Sequence, residues 1–153
     1  MRYIFSTMGF ARAIMGVALG LSLMSTTVMA GSIDVSEAYV REVIPGQVNS
    51  AAFMSLANSG DADKVLVSIN SNAAERVELH QHIHQQNNMR MEQVERVVIP
   101  AGEQFEFSPG GYHVMFIGVT SSLRAGENVE MSLQFSDGSA QQIDLPVVSI
   151  KHR

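Results

Sequence analysis

Arg76-Val77-Glu78-Leu79-His80-Gln81-His82-Ile83-His84 is the stretch that decides how this chain is read. Val77, Leu79 and Ile83 share one parity, and Glu78, His80, His82 and His84 share the other. A period of two belongs to an extended strand, whose successive side chains point to opposite faces. One face of this strand is therefore apolar, and the histidines point away from it. Tyr112-His113-Val114-Met115-Phe116 repeats the pattern, with Tyr112, Val114 and Phe116 on one face and His113 and Met115 on the other. The strand spacing fixes His113 and Met115 side by side.

Outward from these two stretches the chain reads as short strands and turns. Gly31 to Val43 alternates imperfectly, with Ile33, Val35, Tyr39 and Val43 as inward positions, and predicts a first strand carrying an irregularity. Pro45-Gly46 turns the chain into Ser50 to Ala57, an apolar strand ended by Asn58-Ser59-Gly60-Asp61. Lys64 to Ile69 is a third strand, and Ala73-Ala74-Glu75 is too short for a helix of its own. After the histidine strand, Gln85-Gln86-Asn87-Asn88 is a polar tip. Met89 to Glu92 then run into Val94 to Ile99 as the return arm of a hairpin. Pro100-Ala101-Gly102 turns the chain again, Phe105 and Phe107 alternate with polar neighbours, and Ser108-Pro109-Gly110-Gly111 predicts a tight reversal. Val129 to Phe135, Asp137-Gly138 and Gln142 to Val148 form a final hairpin. About eight short strands with turn signals every 8–12 residues predict an all-β, antiparallel Greek-key sandwich.

The 153 residues suffice for one domain with a packed core. Ten Lys and Arg stand against fifteen Asp and Glu, and only Arg2 and Arg12 of these fall in the first thirty residues. The remainder carries eight against fifteen, a balance that excludes an electrostatic nucleic-acid binder. Residues 1–30 have the layout of a secretory signal. Arg2 and Arg12 precede an apolar run from Ala13 to Met24, and small residues Val28 and Ala30 frame a cut after Ala30. The apolar run is shorter than the ~20 residues a membrane span needs, so no stable insertion is expected after cleavage. Residues 31–153 are then the exported domain, placed in a bacterial periplasm. The sequence contains no cysteine, which excludes a structural disulfide, thiol redox chemistry and a lipid anchor on cysteine.

Residues 80–115 hold four of the five histidines and three of the five methionines beyond residue 30. Thioether sulfur is soft and uncharged, and combined with imidazole it favours cuprous copper over zinc or magnesium. Met91 lies between Arg90 and Glu92, and the apolar face around Met115 is already supplied by Tyr112, Val114 and Phe116. Neither methionine is well explained as core. Met54 and Met131 lie in apolar strands and read as core filler. Met89 is the nearest rival to Met91, on the same strand face. A blue-copper electron carrier is excluded because such sites need a Cys thiolate.

The order His80, ten residues, Met91, twenty-one residues, His113, one residue, Met115 resembles the metal motif of the PCu(A)C family of periplasmic copper chaperones. The resemblance extends to Val77-Glu78-Leu79-His80, Met89-Arg90-Met91, Ile99-Pro100-Ala101-Gly102, Pro109-Gly110-Gly111-Tyr112-His113-Val114-Met115, Ala38-Tyr39-Val40-Arg41 and Asn58-Ser59-Gly60. It implies a cupredoxin-like β-sandwich, monomeric and without enzymatic turnover, that holds one Cu(I) through His80, Met91, His113 and Met115. It further implies delivery to an acceptor, the dinuclear copper centre of cytochrome c oxidase, directly or through a Sco-type thiol partner. Some family members carry a His- and Met-rich tail with a cupric site; Ser149-Ile150-Lys151-His152-Arg153 departs from that pattern, so a tail-borne Cu(II) site is not expected. His82 and His84 are not required by the motif; sharing the face of His80, they read as an auxiliary Cu(II) or Zn(II) site, an entry point, or solvated residues. The competing reading from another class is a secreted immunoglobulin-like adhesion module whose histidines bind nothing.

Overall fold

The alternation that the sequence shows between residues 76 and 84 recurs along the chain, and among the described residues it produces ten strands. The structure, a computed structural model, describes residues 33–85 and 88–150. The expected signal segment with its cut after Ala30, and His152, lie outside the described residues. In chain order the strands are β1 (Ile33–Arg41), β2 (Asn49–Asn58), β3 (Lys64–Asn70), β4 (Ala74–Gln85) and β5 (Asn88–Gln93). They continue with β6 (Val97–Ile99), β7 (Gln104–Phe107), β8 (Tyr112–Val119), β9 (Asn128–Phe135) and β10 (Ala140–Val148).

Hydrogen bonding orders the strands β5-β4-β8-β2-β1-β10-β9-β3-β6. The first five form one leaf and the last four another, joined where β1 runs beside β10. That junction is parallel, pairing Val40 with Val147 and Arg41 with Val148, within an otherwise antiparallel sandwich. Between the leaves lies a single core. Val40, Met54, Leu56, Leu79, Val114 and Phe116 come from one side, and Leu66, Ile99, Met131, Leu133 and Leu145 from the other. Met54 and Met131 are fully buried, as their strands predicted.

Three local readings are corrected by the fold. Tyr39 does not point inward. Glu37 sits at a positive φ of 51°, in a bulge where the register slips between Ser36 and Tyr39. An extra residue flips the parity of everything after it, so Val40 becomes buried and Tyr39 turns to the outer face.

Met89 to Ile99 is not one arm. β5 ends at Gln93, and the chain crosses to the other leaf, where Val97 and Ile99 are buried against β3. Nor do residues 108–111 reverse the chain. Phe107 pairs with Met54 and Val114 with Ala52, so β7 and β8 run in the same direction along one edge of β2. Seven positions on that side answer two on β2, and Ser108 to Gly111 is the slack looped out between them. Gly110 takes the positive φ of 85° that this excursion requires.

Candidate metal centre

Register brings the histidines and methionines together on the outer face of the β5-β4-β8-β2-β1 leaf. His80 pairs directly with His113 on β8 and with Gln93 on β5. His82 pairs with Met91, His84 with Met89, and Glu78 with Met115. Met91 and Met115 therefore each lie one diagonal step from His80, on opposite sides, a step of ~7–8 Å that long side chains can span. His80, His82, His113, Met91 and Met115 thus form one contiguous patch. His84 and Met89 belong to the next rung outward, where Met89 is 66% exposed.

His113 is only 3% exposed, although it faces away from the core. Phe53 covers it, with ring centroids 6.5 Å apart, and Tyr39 in turn stacks on Phe53 at 5.3 Å. Arg41 lies over the Phe53 ring, 4.9 Å from its centroid. The Glu37 bulge is what delivers Tyr39 and Arg41 to this side. Sequence reading missed this cover, because Phe53 and Tyr39 look like ordinary apolar strand residues until the bulge is known.

Two hydrogen bonds set the ring tautomers. His80 Nε2 lies 2.9 Å from Glu78 Oε2, and Glu78 is held from its other oxygen by Arg76 at 2.8 Å. The carboxylate accepts from the Nε2–H, which leaves Nδ1 as the ring nitrogen available to a ligand. His113 Nδ1–H likewise donates to the Gly111 carbonyl at 3.1 Å, leaving the Nε2 lone pair free. The looped-out segment before β8 supplies that carbonyl. His80 Nδ1, His82 Nδ1 and His113 Nε2 are the buried side-chain polar atoms that have no partner among the described residues. Orienting a metal-binding imidazole through its second nitrogen is the usual outer-shell arrangement of metal sites.

Burial is the main cause that lowers the His113 pKa below its ordinary 6.5. The Gly111 carbonyl opposes the shift, and repulsion from His82 and His80 when charged adds to it. The ring is therefore held neutral, as a ligand must be. Among the described residues no three His, Cys, Asp or Glu side chains are already gathered closely enough to hold a metal ion. The centre is open as it stands, and thioethers or a small closing movement must complete a coordination shell. Met91, 46% exposed on edge strand β5, and Met115, beside a cleft lined by Arg41, Asn49, Ser50 and Ala51, give access from two sides.

The remaining motif segments are structural. Asn58 is buried; its side-chain amide donates to the Ala62 carbonyl at 2.8 Å and the Ile99 carbonyl at 3.0 Å. Its backbone pairs with Gly102 and Glu103. Asn58-Ser59-Gly60 and Ile99-Pro100-Ala101-Gly102 therefore clamp each other at the end of the sandwich and do not reach the metal-binding patch.

The fold is similar to that of solved PCu(A)C domains. The copper-bound PCuAC domain of PmoF2 superposes with a TM-score of 0.65 at 22% identity, over 78% of this chain and 94% of that one. Apo-DR1885 of Deinococcus radiodurans gives 0.61 at 26% identity, over 98% and 100%. The Cu(I) form of DR1885 gives 0.61 at 29% identity, over 74% and 76%. Among curated sequences, a putative lipoprotein of Leifsonia xyli is 32% identical over 86% of this chain and 78% of its own length. An uncharacterised protein of Rickettsia prowazekii is 28% identical over 69% and 60%. The cupredoxin-like sandwich expected from the sequence is thus the fold that these relatives share. Residues 33–147 match the family described as putative lipoprotein LpqE-like, and the chain belongs to that family, which is of the PCu(A)C type.

Proposed function

We propose that this protein is an exported carrier of Cu(I), binding one ion per chain through His80, Met91, His113 and Met115 and passing it to an acceptor without catalytic turnover. The observation that carries this reading is the pairing of His80 with His113, each with one nitrogen fixed by a hydrogen bond and the other buried and unpartnered. Thioethers one residue step away supply the soft donors that cuprous copper prefers. The 29% identity to a protein whose Cu(I) form has been solved supports the choice of metal.

Four neutral donors leave the ion's charge uncancelled and hold it less firmly than thiolates would. Transfer to a thiolate site is then downhill. The dinuclear copper centre of cytochrome c oxidase, reached directly or through a Sco-type protein, fits as acceptor on that ground. Secretion through the segment before Ala30 places the carrier in the periplasm. The exposed Met91 edge and the cleft beside Met115 are the two sides from which an incoming ligand can displace a thioether while the imidazoles keep hold.

The test is titration of the purified protein with Cu(I) against a chromogenic chelator, with X-ray absorption on the product. One equivalent bound through mixed nitrogen and sulfur scatterers is expected. A chain that cannot compete with the chelator at all would be an adhesion or structural module instead.

A further inference from the structure

His82 is outside the four-residue motif, yet it is built into the same patch. Its Nδ1 is buried without a partner, as are His80 Nδ1 and His113 Nε2. Its ring centroid lies 4.7 Å from that of His113, whereas the two motif histidines, His80 and His113, stand 6.0 Å apart. Two imidazoles on one metal, with metal–nitrogen distances of about 2.0–2.1 Å and interligand angles of roughly 90–120°, place their ring centres about 4.5–5.5 Å apart. The His82–His113 pair already falls in that window, and the motif pair lies just outside it.

The backbone fixes this proximity. The Gly111 carbonyl accepts both the His82 backbone N–H at 3.2 Å and the His113 Nδ1–H at 3.1 Å. One group in the looped-out segment therefore positions both residues. Across the other edge of β4, it is His82, not His80, that directly faces Met91. His84 shares the strand face but is exposed and paired with Met89 on the next rung, so it stays outside the patch.

Resting on the copper-carrier reading above, we infer that a small closing movement brings His82 into this centre as a third imidazole donor, since no three such side chains already stand close enough among the described residues, and that it enables the centre to hold Cu(II) as well as Cu(I). Two imidazoles with two thioethers form a soft set suited to cuprous copper. A third imidazole moves the set toward the borderline nitrogen donors that cupric copper takes. The same pocket then keeps its cargo in either oxidation state.

The experiment titrates the apo-protein with copper(II) sulfate and counts coordinated imidazoles by pulsed electron paramagnetic resonance. The same preparations are titrated with Cu(I) against a chelator. Wild-type protein should bind one Cu(II) with three imidazole couplings. His82→Gln should lose one coupling and bind Cu(II) at least about tenfold more weakly, with a smaller change for Cu(I). Unfolding curves check that the variant is folded, and His82→Asn is read in its place if it is not. An unchanged Cu(II) spectrum and affinity in the folded His82 variant, or loss of the coupling in His84→Gln instead, overturns the inference while leaving the Cu(I) carrier intact. Failure of the wild type to bind Cu(I) overturns the carrier reading itself.

Discussion

On the inner face of β4 and β8, Leu79, Val114 and Phe116 are at most 4% exposed and pack into one cluster with the opposite leaf. On the outer face of the same two strands, His80, His82 and His113 each keep a buried nitrogen without a partner. The first face contributes stability, since burying a large apolar side chain is worth about 1.5–3 kcal/mol. The second costs stability, because each buried unsatisfied polar group carries a penalty of about 1–3 kcal/mol. The comparison teaches that this sandwich spends core packing on one side of a sheet to hold unsatisfied donors in place on the other. A metal ion is the partner that would relieve them.

The largest test of that division is Phe116→Ala, which should destabilise the protein by about 3–5 kcal/mol in denaturant unfolding. The fraction that remains folded should still bind one Cu(I). A loss of metal stoichiometry per folded molecule would mean that the two faces are not separable.

Next in size is Met91→Leu. The swap conserves volume and should cost less than about 1.5 kcal/mol of stability, while Cu(I) affinity falls by roughly 10–100-fold. Met89→Leu, on the outer rung, should leave both unchanged. Should Met89→Leu weaken Cu(I) and Met91→Leu not, the thioether has been assigned to the wrong rung.

The smallest effect is the pH dependence of the apo-protein. The His113 pKa is lowered in the fold, chiefly by burial. Above about pH 6.5 the ring is neutral in both folded and unfolded chains, and its contribution is fully present. Below that value the unfolded chain takes up the proton first, so stability falls as the pH drops toward the lower pKa of the folded ring. Urea midpoints measured between about pH 7 and 5 should show this slope, and His113→Gln should flatten it. Equal slopes in the two proteins would mean that burial of His113 is not what the outer face opposes.

The grouping of these histidines and methionines on one outer face was legible for a simple reason. In a strand, parity alone tells which side chains share a face; Tyr112 to Phe116 keep it throughout, and Arg76 to His84 break it only at Gln81. Where the chain inserts residues, parity fails. The imperfect alternation of Gly31 to Val43 signals an irregularity, but it does not place the bulge at Glu37 or show that Tyr39 and Arg41 turn outward, and Ser108-Pro109-Gly110-Gly111 carries turn residues whether it reverses the chain or loops out of a straight edge. Parity puts His113 on the face away from the core, but its burial there depends on Phe53, sixty positions earlier in the sequence.

The sequence by itself determined the all-β class, the inner and outer faces of β4 and β8, and the soft, thiol-free donor set, because these follow from local periodicity and side-chain chemistry. Only the tertiary structure decided that β1 joins β10 in parallel, that His82 stands nearer to His113 than His80 does, and that one carbonyl at Gly111 holds them both. Those depend on register between strands far apart in the chain. Register is set by bulges and by the competition of whole faces for one core, and no short stretch of sequence contains that competition.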